Sequence, residues 1–180
     1  MKKNSLVTKR LTIRPLLPDD NKDWLEMFNS DLVGKFLMKL NDIAVIDRLI
    51  AKKISKYENN EGCSYSVIEK DGTKVIGNIE LKVDEANRVG EISYVFNDKY
   101  WNKGFATEAI QEIIRYAFND LNLDKIVADC IKDNTASNHI LQDKVKMKLV
   151  KEDLVEQTQN GEIKMVPYLF FELNNTIKES

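Results

Sequence analysis

The sequence predicts a mixed α/β fold in which helices cover both faces of a twisted, mainly antiparallel sheet of about seven strands. Two strand-like segments flank Asp71-Gly72, a pair that tolerates the positive φ of a tight hairpin turn. Apolar residues recur at helical spacing between residues 105 and 119, and a buried strand follows at 123–131. An antiparallel meander followed by a strand, a helix and a strand gives a mixed sheet rather than an all-parallel one.

The first third of the chain predicts one strand followed by two helices. Residues 7–15 alternate apolar and polar side chains as a strand does, and the pattern stops at a proline. The Pro-Asp-Asp triplet at 18–20 is typical of a helix start and precedes a group of apolar side chains. Isoleucines then recur at helical spacing over 43–54, and Asp42 is the expected N-cap of this second helix.

The rest of the chain is divided by turn signals and by changes in apolar spacing. Asn134 is expected to open a further helix that runs to about Lys144. The last two strands form a closing pair around Asn160-Gly161. The strands of this part are predicted at 64–70, 74–83, 89–96, 123–131, 147–155 and 164–174.

Length and composition predict a single domain over residues 1–180. Lysine and arginine number 27 against 29 aspartates and glutamates, so neither nucleic acid nor a membrane is an expected partner. The chain has no signal-peptide pattern and no long apolar run, and the expected location is cytoplasmic. Cys63 and Cys130 have neither disulfide nor metal-ligand spacing, so two reduced thiols and no metal site are predicted.

The segment from residue 97 to 107 passes from a strand to a helix through a loop that contains Gly104. The first turn of a helix presents unpaired N–H groups and the positive end of the helix dipole. Glycine lets the backbone approach an anion closely, so this loop predicts a local site for a diphosphate. An ordinary turn in which the glycine serves only the backbone is the alternative.

Three segments resemble one known family. The sequence YWNKGFATEA at 100–109 resembles the YWGKGYATEA-type acetyl-CoA loop of the GNAT acetyltransferases, particularly their RimJ/RimL branch. KRLTIRPLLPDD at 9–20 is similar to the opening of that branch, and DNTASNHIL at 133–141 is similar to its NxxSxxxL helix. The resemblance implies N-acetyl transfer from acetyl-CoA and a GNAT-like sheet that is splayed between its fourth and fifth strands. The acetyl-CoA contacts that it implies are Val95, Phe96, Trp101, Asn102, Lys103, Gly104, Phe105, Ala106, Thr107 and Asn134.

The chain departs from this family pattern in the loop and after the last predicted helix. Asn102 replaces a usual glycine. After the helix the family expects lysine, glycine and an aromatic residue, whereas residues 144–147 read Lys-Val-Lys-Met, without the glycine-aromatic pair and one residue longer. Leu141 stands where many relatives have a tyrosine that protonates the leaving thiolate, so that acid is not available here.

Two residues are predicted to act in catalysis. Ser137 matches the serine of the NxxS motif, and its hydroxyl is expected to hydrogen-bond the thioester sulfur, with helix capping as the alternative. Glu91 is the predicted general base, directly or through water, and Glu80 is the next candidate. His139 and Lys99 are expected at the surface, although Lys99 can also help to hold CoA phosphates.

The acceptor is predicted to be the N-terminal α-amine of a protein or peptide, which attacks acetyl-CoA directly in a ternary complex. An α-amine of pKa about 7.7–8.0 is roughly 10–20% neutral at pH 7, whereas a lysine ε-amine is neutral in only about one molecule in 2,500. A site without an evident strong base therefore favours the α-amine. A small amine (polyamine, aminoglycoside or amino acid) and a non-catalytic CoA-binding module are the alternatives, and a monomer or homodimer is expected.

Overall fold

The computed structural model describes residues 4–58, 63–159 and 162–176, and these segments contain one eight-stranded sheet and four α-helices. The strands are β1 (Leu6–Val7), β2 (Leu11–Pro15), β3 (Cys63–Glu69), β4 (Val75–Asp84), β5 (Val89–Phe96), β6 (Lys125–Ile131), β7 (Lys148–Gln159) and β8 (Glu162–Asn174). The helices are α1 (Asn21–Phe28), α2 (Ile43–Glu58), α3 (Phe105–Asn119) and α4 (Thr135–His139). Within the described segments, none of the helices is both long and apolar enough to cross a membrane.

The sheet has the strand order β1-β2-β3-β4-β5-β6-β8-β7, and β5 and β6 are its parallel pair. The other neighbours are antiparallel, so the predicted mixed and mainly antiparallel sheet is confirmed. Helices cover both faces, as predicted: α3 packs in the larger core with Ile79 and Ile126, and α1 and α2 enclose a second core around Trp24 and Ile50. The predicted closing turn at Asn160-Gly161 lies outside the described residues.

The prediction of one strand over residues 7–15 is wrong, because this segment folds back on itself. The Thr8 N–H donates to the Leu11 carbonyl oxygen and the Leu11 N–H donates to Thr8 Oγ1, each at 2.9 Å. Thr8 Oγ1 and the Arg10 N–H in turn donate to the Glu108 carboxylate on α3, at 2.6 and 2.9 Å. This contact with a helix about a hundred residues away favours a turn over a continuous strand. The turn separates β1 from β2, so the sheet has eight strands and not the predicted seven.

The two N-terminal helices begin where their polar residues predict. The Ala44 N–H donates to Asp42 Oδ1 at 2.8 Å, which confirms Asp42 as the N-cap of α2. Asp20, in the turn before α1, is buried and accepts hydrogen bonds from Arg14, from Ser66 and from the Leu17 N–H. Burial alone would raise the pKa of Asp20, but these hydrogen bonds outweigh it and lower the pKa.

The helix predicted from Asn134 to Lys144 consists of α4 and a π-helical turn over Ile140–Lys144. The Val145 N–H donates to the Ile140 carbonyl oxygen at 2.9 Å, five residues back. A turn of this kind holds one more residue than an α-helical turn, so it accommodates the extra residue of this chain. Lys146 then takes the left-handed conformation, with φ 66°, and the buried Met147 reaches the core.

Candidate active site

The parallel pair of strands separates part of the way along its length. Val89, Gly90 and Glu91 pair with residues 125–127, and no pairing continues beyond Glu91. The remaining parts of β5 and β6 diverge and leave a gap in the sheet. The predicted splay between these two strands, the fourth and fifth in the sequence-based numbering, is therefore confirmed.

Main-chain groups of β5 point into this gap at alternate residues. The Asn97 N–H donates to the Ile76 carbonyl oxygen at 3.0 Å, so Val95, two residues back, also directs its main chain towards β4. Tyr94 and Phe96 therefore direct theirs towards the gap. The Trp101 indole donates to the Phe96 carbonyl oxygen at 2.8 Å, which leaves the Phe96 N–H facing the gap. Val95 contributes only its side chain to the gap.

A cavity of about 580 Å³ occupies the gap, a size in the usual range for small-ligand sites. Because side chains alternate along a strand, Ser93 and Asp129 face the α1 side of the sheet, and Tyr94 and Cys130 face the α3 side. All four line the cavity, so it passes through the sheet and is reached from both faces. The predicted site residues in its wall are Val95, Phe96, Trp101, Asn102, Gly104, Phe105, Ala106, Thr107, Asn134 and Ser137.

The loop before α3 has two left-handed residues that expose consecutive N–H groups. Asn102 has φ 60° and Gly104 has φ 78°. Asparagine is the residue that best replaces glycine in this conformation, which explains why it stands in place of the usual glycine. The N–H groups from Asn102 to Thr107 donate no hydrogen bond to other described residues. They lie at the start of a 15-residue helix, so the predicted diphosphate site has both free donors and a favourable dipole.

Arg10 holds this loop from the β1–β2 turn, a contact that the sequence analysis did not predict. Its guanidinium donates to Glu108 at 2.6 Å and to the Lys103 carbonyl oxygen at 2.9 Å, and it lies 4.7 Å above the centre of the Phe105 ring. Burial alone would raise the pKa of Glu108, but hydrogen bonds from Thr8 and Arg10 lower it, so the ion pair is retained at neutral pH.

We expect Arg10→Ala to weaken acetyl-CoA binding roughly fivefold, because the loss of one hydrogen bond of about 1 kcal/mol lets the loop relax. Arg48→Ala is the matched control, since Arg48 is exposed and has no ion pair with another described residue. Calorimetric titration of both variants measures the effect. Equal affinities for acetyl-CoA would show that the loop keeps its shape without Arg10.

Asn134 and Ser137 lie together at the start of α4. The Ser137 N–H donates to Asn134 Oδ1 at 3.2 Å, so Asn134 is the residue that caps this helix. The alternative of a capping role for Ser137 is therefore wrong. Its side chain lines the cavity instead, as the prediction of a chemical role requires.

Two side chains on β5 and β6, Tyr94 and Cys130, line the gap on its α3 side, and Tyr94 lies near Ser137. Burial raises the pKa of the Tyr94 hydroxyl, and Ser137 partly offsets this rise. The Tyr94 hydroxyl forms no hydrogen bond of normal geometry with another described residue. The Ser137 side chain is nevertheless close enough to lower the pKa of Tyr94. Burial, and then the charge of Asp129, raises the pKa of Cys130 to about 12, and its thiol donates to Asn138 Oδ1 at 2.7 Å. Cys130 is thus a protonated thiol.

The charged side chains predicted around the site lie mostly outside the cavity wall. Glu91 is paired with Lys82 at 2.9 Å, and Glu80 is paired with Lys53. Lys103 lies 4.9 Å from the centre of the Tyr100 ring, outside the wall. The two remaining candidates are also paired: Lys99 with Glu26, and His139, which does line the cavity, with Asp143.

The sequence analysis did not assign several polar side chains of the wall to the site, among them Tyr94, Asp129, Cys130 and Tyr168. Each of these four lies on a strand, at a position where alternation alone predicts only which face it takes. The strand assignments place Tyr94 and Cys130 on one face and Asp129 on the other. Only the divergence of β5 and β6 brings these positions to a common cavity.

A sheet that opens between two parallel strands, beside a helix start with free N–H groups, has a geometry suited to an extended, phosphate-bearing ligand. The model of the Acetyltransferase (GNAT) domain matches residues 10–144. The chain belongs to the GNAT acetyltransferase family and is an acetyltransferase.

Individual relatives agree with this assignment. The uncharacterized N-acetyltransferase YoaA of Bacillus subtilis is 30% identical over 87% of this chain and 89% of its own length. A GNAT-family acetyltransferase from Bacillus anthracis superposes with a TM-score of 0.82 at 23% identity, over 95% of this chain and 98% of its own. RimL, the ribosomal L7/L12 alpha-N-protein acetyltransferase, superposes with a TM-score of 0.82 at 13% identity, over 96% and 94% of the two chains. The two structures establish the fold, which is that of the RimL type.

Proposed function

We propose that residues 1–180 form a single domain that transfers the acetyl group of acetyl-CoA to the N-terminal α-amine of a protein or peptide. The choice of acceptor rests on the side chains that line the α1 side of the cavity. Three apolar side chains from the turn after α1 line it: Val33, Phe36 and Leu37. Asp129 is the only carboxylate among the described residues of the wall. An acceptor with one cationic amine next to an apolar side chain is complementary to this surface.

The α3 side of the cavity suits acetyl-CoA. The N–H groups from Asn102 to Thr107 are proposed to hold the pyrophosphate, because they have no acceptor in the described chain and lie at a helix start. The main-chain groups of Tyr94 in the gap are proposed to pair with the pantetheine arm, and the Phe96 N–H is proposed to face the thioester at its end. Acetyl-CoA supplies an activated acetyl thioester. RimL, which has this fold, has also been solved in complex with coenzyme A.

The Phe96 N–H is proposed to stabilise the oxyanion that develops when the amine attacks. A main-chain donor fixed by neighbouring strands costs little reorganisation, and one such donor contributes about 2.7–4 kcal/mol in well-studied cases. Ser137 is proposed to hydrogen-bond the sulfur as it becomes a thiolate. No covalent enzyme intermediate is proposed, because the Cys130 thiol stays protonated and the His139 ring is paired with Asp143.

Polyamines and aminoglycosides fit the acceptor side less well. Each carries several cationic groups, and the neighbouring carboxylates Glu80 and Glu91 are already paired with Lys53 and Lys82. A second cationic amine would therefore meet an apolar wall or a carboxylate that already has a partner. Removing a charge from water without a partner costs free energy, so such acceptors are disfavoured.

A competition between acceptor classes tests this proposal. Peptides with a free apolar N-terminal residue, the same peptides with a blocked N-terminus and an internal lysine, spermidine and an aminoglycoside are each offered with acetyl-CoA. Release of the CoA thiol gives kcat/KM for each acceptor. We expect the free N-terminal peptides to be preferred at least tenfold at neutral pH, in line with the larger neutral fraction of an α-amine. A preference for spermidine or the aminoglycoside would contradict the proposal.

A further inference from the structure

Resting on the proposed function, we propose that Asp129 is the general base that accepts the proton of the acceptor ammonium. Asp129 lies on β6, two residues beyond Val127, the last residue of that strand that pairs with β5. It is therefore on the divergent arm of the gap. Its side chain faces the α1 side, from which the acceptor enters, whereas Ser137 lies on the α3 side.

The carboxylate of Asp129 is available to a ligand, unlike the other carboxylates of this face. It lines the cavity, it is exposed, and it forms no hydrogen bond or ion pair with another described residue. Glu80 and Glu91, on β4 and β5, each have a lysine partner and do not line the cavity. A cationic amine that reaches the gap thus finds one carboxylate without a partner.

The surroundings of Asp129 make it a better base than an ordinary aspartate. The protein around it removes water even though the side chain is open to the cavity, and this desolvation raises its pKa. The charge of Glu91 adds to the rise, and the ammonium of Lys82 opposes it. The other titratable groups near it are Tyr168 on β8 and the Cys130 thiol, and His139 and Lys144 line the same cavity. A raised pKa of Asp129 is closer to the pKa of the amine, which makes proton transfer to the carboxylate easier.

In the proposed step, one proton of the bound ammonium moves to Asp129 and leaves a neutral amine. The nitrogen lone pair then forms the N–C bond to the acetyl carbonyl carbon. The C–S bond breaks with its electron pair on sulfur, and a second proton from the nitrogen is transferred to the thiolate. The products are the acetamide and CoA with a free thiol, and Asp129 returns its proton to water.

Asp129→Asn tests this role through the pH dependence of kcat/KM, measured with a primary amine that the wild-type protein acetylates. At about pH 6 we expect a loss of about 10²-fold, the usual contribution of a general base. The deficit should shrink at least tenfold once the pH passes the pKa of the amine used, which is reached by about pH 9 for an α-amine, because a neutral amine needs no base. Asp133→Asn, which removes an exposed carboxylate outside the cavity wall, is the matched control and should stay within twofold at each pH.

Melting temperature and acetyl-CoA affinity of Asp129→Asn should both match the wild type, which separates a chemical effect from loss of fold or cofactor. A deficit that is the same at every pH, or no deficit, would overturn the proposal. It would also be overturned if Glu91→Gln gave the pH-dependent loss and Asp129→Asn did not. If the wild-type protein acetylates other amines but not peptides, the proposed acceptor is wrong. The role of Asp129 is still tested in that case, because the comparison uses whichever amine is a substrate. If no amine is acetylated, both proposals fail.

Discussion

Gly104→Val is expected to weaken acetyl-CoA binding by about 30-fold while the rest of the domain stays folded. Gly104 has φ 78° and lies between N–H groups that are proposed to hold the pyrophosphate. Left-handed backbone costs an L-residue roughly 1–2 kcal/mol, and the cost is highest for a β-branched side chain, so valine will move the loop. Calorimetric titration with acetyl-CoA and a melting curve on the same sample measure the two effects.

Gly104→Asn distinguishes backbone strain from a steric block at the same position. Asparagine tolerates the left-handed region, and a Cβ at Gly104 would meet the Arg10 guanidinium only at an ordinary contact distance of 3.4 Å. If strain dominates, asparagine will restore most of the affinity. If the side chain obstructs the pyrophosphate, asparagine and valine will be equally weak. Asn102→Gly, which keeps the left-handed conformation, is the control and should bind normally. Normal binding by Gly104→Val would show that acetyl-CoA does not lie on this loop.

Ser137→Ala is expected to lower kcat about 10- to 100-fold with little change in acetyl-CoA affinity. A hydrogen bond to a charged group contributes about 1.5–3 kcal/mol, and here the charge on sulfur develops only as the C–S bond breaks. An effect on kcat without an effect on affinity is typical of such an interaction. The steady-state rate and the binding constant, measured on one preparation, give both values.

Asn134→Ala is the matched control for Ser137→Ala, because Asn134 carries the helix cap. Its loss should reduce the free energy of unfolding by about 0.5–2 kcal/mol, whereas Ser137→Ala should not change it. The neighbouring Tyr94 hydroxyl gives a further variant, Tyr94→Phe, that tests whether the two hydroxyls act together. Normal turnover of Ser137→Ala would remove Ser137 from the chemistry, and a lower melting temperature would assign it to the structure.

The sequence predicted most of the fold because its local signals agree with the tertiary contacts. The hairpin around Asp71-Gly72, the Asp42 cap and the apolar stripe over 105–119 all act within a few residues, and each element lies where predicted. The expected positive φ is wrong: β3 and β4 are joined by a longer connection, and neither Asp71 nor Gly72 is left-handed. The prediction of one strand over residues 7–15 failed because a contact distant in sequence determines the structure of this segment. Glu108, far along the chain, accepts hydrogen bonds from Thr8 and Arg10, and no local pattern contains that information.

Departures from the family pattern could be recognised from the sequence, but their structural solution could not. The longer segment at 144–147 is accommodated by a π-helical turn, and Lys146 takes a left-handed conformation without glycine. Both depend on packing, since Val145 and Met147 are buried in the core. The sequence showed only that the usual glycine and aromatic residue are missing.

The candidate site was predicted well where it is built from backbone and poorly where it depends on side chains. The loop from Trp101 to Thr107 lines the cavity apart from the Lys103 side chain, because a helix start and a glycine determine its geometry. The prediction of Glu91 as the base rests on its strand alone. The carboxylate that reaches the gap is determined by the residue at which β5 and β6 stop pairing. The periodicity of the sequence does not predict that residue.

A crystal structure with a conjugate that joins CoA to the α-amine of a short peptide tests the central claim most directly. We predict that its pyrophosphate contacts the N–H groups from Asn102 to Thr107 and that its sulfur lies beside Ser137. The peptide nitrogen should lie beside Asp129, with the first side chain against Phe36 and Leu37. A conjugate bound outside the gap between β5 and β6, or with its peptide on the α3 side of the sheet, would contradict the account.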